Sequence, residues 1–376
     1  MKTIASRRQS VPILALLVLL MLNACGGDDE GNNPPPPPAT TSAVVYVANQ
    51  ASNNVSAYTI NGTTGALVPV AGSPVTIGGT TPGGIAISSD GTMAYVANQG
   101  SDNVSAFTVN PSSGTLTAVP GSPFPAGNTP LRVTLSPNRS FLFVTNQASN
   151  NISAYAIGAG GVLSPVAGSP FGAGFTPAGV TCSPNGSFLF VANQGSNNIS
   201  AYTINASGQL SAVSGSPFAV GTTPTGVVVS PNGAFVYVSN QGSNYVSALA
   251  INGSTGVLTP VAGSPFATGI TPTGITISPN GSFLYVTNQS SNTVSGFTAN
   301  PGTGVLAPLG VPIAGGTTPT AATISPDGAF LYVANQGSND VFAYTINSTS
   351  GALAVVSGSP FPAGVTPRAI ATAGRP

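Results

Sequence analysis

Tyr46-Val47-Ala48-Asn49-Gln50 returns six times along the chain: as Tyr95-Val96-Ala97-Asn98-Gln99, Phe143-Val144-Thr145-Asn146-Gln147, Phe190-Val191-Ala192-Asn193-Gln194, Tyr237-Val238-Ser239-Asn240-Gln241, Tyr285-Val286-Thr287-Asn288-Gln289 and Tyr332-Val333-Ala334-Asn335-Gln336. Successive copies lie 49, 48, 47, 47, 48 and 47 residues apart. A period of 40–50 residues built only from strand-type pattern is that of a propeller blade of four strands. Working outward from the second copy, residues 84–88 read as a first strand and Ser89-Asp90-Gly91 as a hairpin turn, because Asp-Gly supplies the positive φ such turns need. Residues 93–97 form the second strand, 98–103 a polar loop, 104–109 the third strand and 114–119 the fourth. Residues 120–130 then lead to the next unit.

Alternation along the strands predicts how the units stack. In the first strand one row carries Ile85, Val133, Val180, Val227, Ile275, Ala322 and Ile370, and the adjacent row carries Ala86, Thr134, Thr181, Val228, Thr276, Thr323 and Ala371. Mostly large against mostly small is what close face-to-face packing of twisted sheets requires. A lone unit leaves both faces wet, and each valine of the second strand contributes roughly 1.5–3 kcal/mol only when a neighbour covers it. The repeat region begins at a second strand (residues 43–48) and finishes with a first strand (residues 367–373), so head and tail complete one blade. The expected fold is therefore all-β: a seven-bladed β-propeller over residues 43–376, closed by sharing one blade between its N- and C-terminal strands. Such closure leaves only short, protected sheet edges.

Tyr285-Val286-Thr287-Asn288 and the turn Ser325-Pro326-Asp327-Gly328 resemble the YVTN-repeat, lactonase-like seven-bladed propellers, and the resemblance covers all seven repeats. It implies the fold with high specificity and the function with little, since one fold hosts many functions. Some members of that group hydrolyse or form sugar and carboxylate lactones with His, Glu and Arg on one face of the ring. The repeat region here has neither His nor Glu, so no motif residue carries over.

Lys2, Arg7 and Arg8 precede an apolar run over residues 11–22, too short for a span and right for an export signal. Leu22-Asn23-Ala24-Cys25 resembles the lipobox of bacterial lipoproteins, which implies a lipid on Cys25 after removal of residues 1–24. Residues 25–42, with Pro34 to Pro38 consecutive, read as an extended spacer. The expected location is outside the cytoplasm, anchored to a bacterial membrane by that lipid, at an outer membrane or the cell surface.

From residue 43 on, eight charged residues remain: Asp90, Asp102, Arg132, Arg139, Asp327, Asp340, Arg368 and Arg375. No basic patch exists to neutralise phosphates, which argues against nucleic acid. Cys182 has no partner within the repeats and stands where other copies carry isoleucine, so it reads as a small buried hydrophobe. No cofactor motif and no metal-ligand spacing occurs, and a monomer is expected.

Asp90 and Asp327 read as turn formers. Asp102 and Asp340 fall in loops after second strands, while Arg132 and Arg368 follow the Thr-Pro pairs that open first strands. Those two connections share one face of a propeller. With the closing blade counted as one, these residues occupy blades two, seven, three and one, which are neighbours. Blades four to six carry no charge. The plain reading of this sector is a solvated rim near the tether and the membrane surface; the sharper one is an anion site in which Arg132 and Arg368 offer guanidinium forks at the axial mouth, with Asp102 and Asp340 beside them. The Asn-Gln pairs read as loop caps, with sugar binding as the alternative. The Gly-Ser-Pro-Phe segments read as fixed turns that plug phenylalanine between blades. With no group that titrates near neutrality, the expected function is a non-catalytic one: a cell-envelope lipoprotein presenting a surface that binds or scaffolds a protein or glycan partner. The alternatives are a lactonase-type hydrolase of the 6-phosphogluconolactonase kind and a purely structural surface protein.

Overall fold

Each repeat buries the central valine of its second strand completely: Val47, Val96, Val144, Val191, Val238, Val286 and Val333 are all 0% exposed. The reason is visible in the computed structural model, which describes residues 41–374. Seven antiparallel sheets succeed one another, and each hydrophobic cluster is assembled from two neighbouring sheets. In one such cluster Tyr95, Ala97, Val104 and Ala106 of blade two pack on Val133, Leu142, Val144 and Tyr155 of blade three. Period-two alternation sends successive residues of a second strand to opposite neighbours. Thus Val44, Tyr46 and Ala48 face blade two, whereas Val45 and Val47 face blade seven.

The ring closes as expected. Residues Thr41–Asn49 pair antiparallel with residues Pro367–Gly374, with Val47 opposite Ile370. Blade one is completed by Asn54–Asn61, Leu67–Pro69 and Val75–Thr76. Its contact with blade seven is a buried hydrophobic cluster like those of the other seams: Val45, Val47, Tyr58, Ile60 and Ile370 meet Phe330, Tyr332, Val341 and Val356. The Tyr332 hydroxyl, buried in that seam, donates to the Gly65 carbonyl at 2.9 Å. Equivalent bonds run from Tyr46 to Gly114, Tyr95 to Gly161, Tyr237 to Gly304 and Tyr285 to Gly351. Blades three and four carry Phe143 and Phe190 at this position instead.

Each sheet has five strands rather than the four expected. In blade two these are Pro82–Ile87, Met93–Asn98, Asn103–Val109, Leu116–Ala118 and Phe124–Pro125. The last two both pair with Asn103–Val109, so the outer edge is one strand interrupted in the middle. The Gly-Ser-Pro-Phe segment makes the interruption: Ser122 Oγ accepts the Ala106 N–H, and the chain rejoins the sheet at Phe124. Phe124 is partly buried against the core that blades two and three share. The first-strand row of Ile85, Val133, Val180, Val227, Ile275, Ala322 and Ile370 packs between blades and also walls the axial cavity. The expected signal segment, Cys25 and most of the spacer lie outside the described residues.

Candidate functional site

The repeated Asn-Gln pair divides its labour. The seven asparagines (Asn49, Asn98, Asn146, Asn193, Asn240, Asn288 and Asn335) are wholly buried. In blade two, Asn98 Nδ2 donates to Asn103 Oδ1 and Ser105 Oγ at 2.8 Å each, tying the loop to the third strand. These asparagines are structural. The glutamines are the residues at the axis. Gln50 Nε2 donates to Gln99 Oε1 at 3.0 Å, and a second chain of amides runs from Gln147 to Gln194, Gln241, Gln289 and Gln336 at 3.2–3.5 Å. All run in one rotational sense. Among the described residues no hydrogen bond joins Gln99 to Gln147 or Gln336 to Gln50, so the collar is broken in two places.

The breaks coincide with the two arginines, at the step into blade three, which carries Arg132, and the step into blade one, which carries Arg368. Arg132 stands in register with Gly84, Gly179, Gly226 and Gly274. At Gly84 and Gly179 the first strands crowd the axis: a Cβ on Gly84 would lie 2.7 Å from the Leu131 carbonyl, and one on Gly179 2.5 Å from that of Thr225, whereas blades three, seven and one carry Arg132, Ala321 and Ala369 at this position. Blade two, between the arginines, has glycine at both inner positions, Gly83 and Gly84, and Arg132 Nη1 donates to the Gly83 carbonyl. Arg368 is one position earlier in register, matching Gly83, Thr225, Thr273 and Thr320. Its Nε is buried without a hydrogen-bond partner.

Both guanidinium groups border a cavity of ≈ 310 Å³ on the propeller axis. Gln147, Gln194, Gln241 and Gln289 line its polar side, and the aliphatic first-strand row lines its wall. No carboxylate lines it; the one ion pair among the described residues joins Arg139 to Asp90 elsewhere. Burial, and then the facing Arg368 guanidinium, push Arg132 down to about 9. Burial also lowers Arg368. Two like charges face each other with no counter-charge, an arrangement that favours an anion strongly.

Of the four residues expected at this site, the structure brings Arg132 and Arg368 to the cavity and leaves Asp102 and Asp340 outside its lining. Asp102 has φ 53° and its Oδ1 accepts the Thr129 N–H at 2.7 Å. Asn53, Asn150 and Asn197 make the same bond in their blades. Asp340 Oδ1 accepts from Asn335 Nδ2 at 2.8 Å, as Asn103 does from Asn98. Burial pushes the Cys182 thiol up to about 12, so it stays protonated. Among the described residues no group of three or more His, Cys, Asp or Glu could hold a metal. The sequence reading of the Asn-Gln pairs as loop caps describes the asparagines and misses the glutamine collar, since nothing local tells an axial amide from a capping one.

The family described as "Lactonase, 7-bladed beta-propeller" matches residues 115–225, 162–268, 218–320 and 266–368, together more than half of the chain. No curated protein matches it. Among solved structures, the putative 6-phosphogluconolactonase of Bacteroides uniformis is 21% identical over 89% of this chain and 100% of its own, with a TM-score of 0.78. The periplasmic gluconolactonase PpgL of Pseudomonas aeruginosa is also 21% identical, over 89% of this chain and 99% of its own, with a TM-score of 0.76. At that identity the likeness is one of fold. The family match nevertheless corrects the expectation of a non-catalytic binding or scaffolding surface in favour of the alternative, a lactonase-type hydrolase. That expectation rested on the missing His and Glu, and it gave no weight to electrostatic stabilisation by unpaired guanidinium groups, which requires neither. The chain belongs to the seven-bladed β-propeller lactonase family.

Proposed function

We propose that the axial cavity is the active site of a lactonase-type hydrolase acting on a lactone that carries an acidic group. The observation that supports this most directly is the unpaired Arg132 and Arg368 at the mouth of the cavity, in a family described by that activity. Hydrolysis adds water to the lactone carbonyl, breaks the acyl C–O bond and releases a hydroxy acid; the ring oxygen leaves as a hydroxyl with a proton from the water. Negative charge develops first on the carbonyl oxygen and then on the product carboxylate. Fixed guanidinium donors in a cavity partly shielded from water stabilise both, and no reorganisation is needed at the moment of reaction. The Gln147 carbonyl receives no amide from Gln99, which leaves it able to accept a hydrogen bond from the attacking water and orient it, while the proton passes to the leaving ring oxygen.

A panel of five- and six-membered lactones, followed by acid release at pH 7, tests the reading. Turnover above the uncatalysed rate is expected, falling about 100-fold or more when Arg132→Ala and Arg368→Ala are combined. Wild-type protein no faster than buffer, or a double variant as fast as wild type, overturns it. The same proposal locates the enzyme outside the cytoplasm on a lipid borne by Cys25, supported by the basic start, the short apolar run and Leu22-Asn23-Ala24-Cys25. Metabolic labelling with radioactive palmitate that persists in Cys25→Ser would refute the anchor.

A further inference from the structure

The wall of the cavity differs in chemistry from its mouth. Below the arginines and glutamines stand Ile85, Val133, Val180, Val227, Ile275 and Ile370, with Ala322 completing the row. The hydroxyls that also line the cavity are already engaged. Thr225 Oγ1 bonds the Pro272 and Thr273 carbonyls at 3.4 and 3.3 Å, Thr273 Oγ1 the Pro319 carbonyl at 3.3 Å, and Thr320 Oγ1 the Pro367 carbonyl at 3.1 Å. A polyol lying against the aliphatic row would give up hydrogen bonds to water and find none in return, at about 1–3 kcal/mol for each stranded group. A hydrocarbon would instead be released from water there. Three of the seven blades extend this character beyond the cavity: Phe175, Ile270 and Val365 are 69%, 59% and 53% exposed, where the other blades carry Thr80, Asn128, Thr222 and Thr317. They occupy one position of the repeat, two residues before the proline that opens the first strand. Their backbone N–H groups bond Ser196, Ser291 and Ser52, which follow the axial glutamines by two residues.

We infer that the ligand of this cavity is amphipathic: an oxyanion head on Arg132 and Arg368, and a hydrocarbon body against the ring of aliphatic side chains. This deepens the hydrolase reading in that it takes the same cavity as the binding site, and it narrows the substrate to lactones with an apolar substituent rather than bare sugar lactones.

Binding of straight-chain carboxylates from acetate to octanoate to the full chain, measured by calorimetry beside gluconate and hexyl phosphate, tests it. Affinity should rise about fourfold per added methylene until the cavity is filled, the equivalent of ~0.8 kcal/mol for each buried CH₂. Hexanoate should exceed gluconate, which has the same number of carbons, by at least tenfold, and hexyl phosphate should share the chain-length gain if either oxyanion fits. Val227→Thr, nearly isosteric, should flatten the dependence, while Arg132→Ala should weaken hexanoate tenfold and leave hexanol unchanged. An affinity independent of chain length, or gluconate binding more tightly than hexanoate, overturns the inference. Turnover of simple sugar lactones with flat chain-length dependence would remove this inference and keep the hydrolase. Steep chain-length dependence with no turnover of any lactone would do the reverse.

Discussion

Replacing Arg132 by Met should make the protein more stable while weakening its affinity for anions about tenfold. The folded state holds Arg132 partly buried, facing a second guanidinium, without a carboxylate partner. Its proton affinity falls from the usual guanidinium range to about 9. At ~1.4 kcal/mol per tenfold change, a fall of more than three powers of ten corresponds to about 4–5 kcal/mol for keeping the charge in place. Partial exposure and an accompanying solution anion screen much of that, leaving about 1–3 kcal/mol. Met retains the unbranched stem against Gly83 and Gly84 and discards the charge. For a fold of this size the gain corresponds to a rise of about 1–4 °C in Tm. Differential scanning calorimetry at pH 7 in low salt reads it directly. Adding an oxyanion should raise the Tm of wild type more than that of the variant, because only the wild type presents both guanidinium groups to it. A variant that melts below wild type would refute the reasoning, since it would mean that the guanidinium contributes more by contact than it loses by burial and repulsion.

Three further outcomes follow from the same geometry. Hydrolysis by a site without a titrating base should quicken as hydroxide becomes available and then fail as pH passes about 9, where Arg132 loses its proton; a bell centred near neutrality in a pH–rate profile would contradict this. Tyr332→Phe should cost about 1–3 kcal/mol, because the buried Gly65 carbonyl at the blade-seven to blade-one seam loses its 2.9 Å donor, and an unchanged denaturant midpoint would show that the seam does not depend on it. Asp102→Asn should be silent within about 0.5 kcal/mol in stability and should leave turnover unchanged, because Asn53, Asn150 and Asn197 make the same bond to a threonine N–H; loss of activity in that variant would bring Asp102 into the site after all.

Alkaline stability carries two opposed terms whose signs differ. Arg132 is depressed in the fold, so the unfolded chain binds more protons above about 9, and stability from this group rises with pH there. Tyr95 and Tyr237 are raised to about 12 by burial, so their contribution is complete below the ordinary tyrosine range near 10 and is lost as pH climbs toward 12. The arginine term is therefore visible only in the narrow interval around pH 9–10.

Much of the molecule was legible in one dimension because repetition writes the same local physics seven times. Period-two alternation around Val96 and its counterparts required neighbours on both faces, and a chain that starts on a second strand and finishes on a first can satisfy its edges only by pairing residues Thr41–Asn49 with Pro367–Gly374. The fifth strand escaped notice because Phe124–Pro125 has no pattern of its own; it joins the sheet only where Ser122 has already captured a third-strand amide. The site was half legible. That Arg132 and Arg368 sit on one face followed from their place after Thr-Pro, but Asp102 and Asp340 shared that face without sharing the cavity, since one position in the strand or loop decides whether a side chain meets the axis or its own blade. The sequence by itself determined the number of blades, the order of strands and the closure, because those depend on spacing and alternation within the chain. Only the tertiary structure decided that the glutamines form a broken collar, that the arginines stand at its gaps without counter-charge, and that aliphatic side chains line the space beneath them. Those are relations between residues one or more whole repeats apart, brought together by rotation about an axis that no single repeat contains.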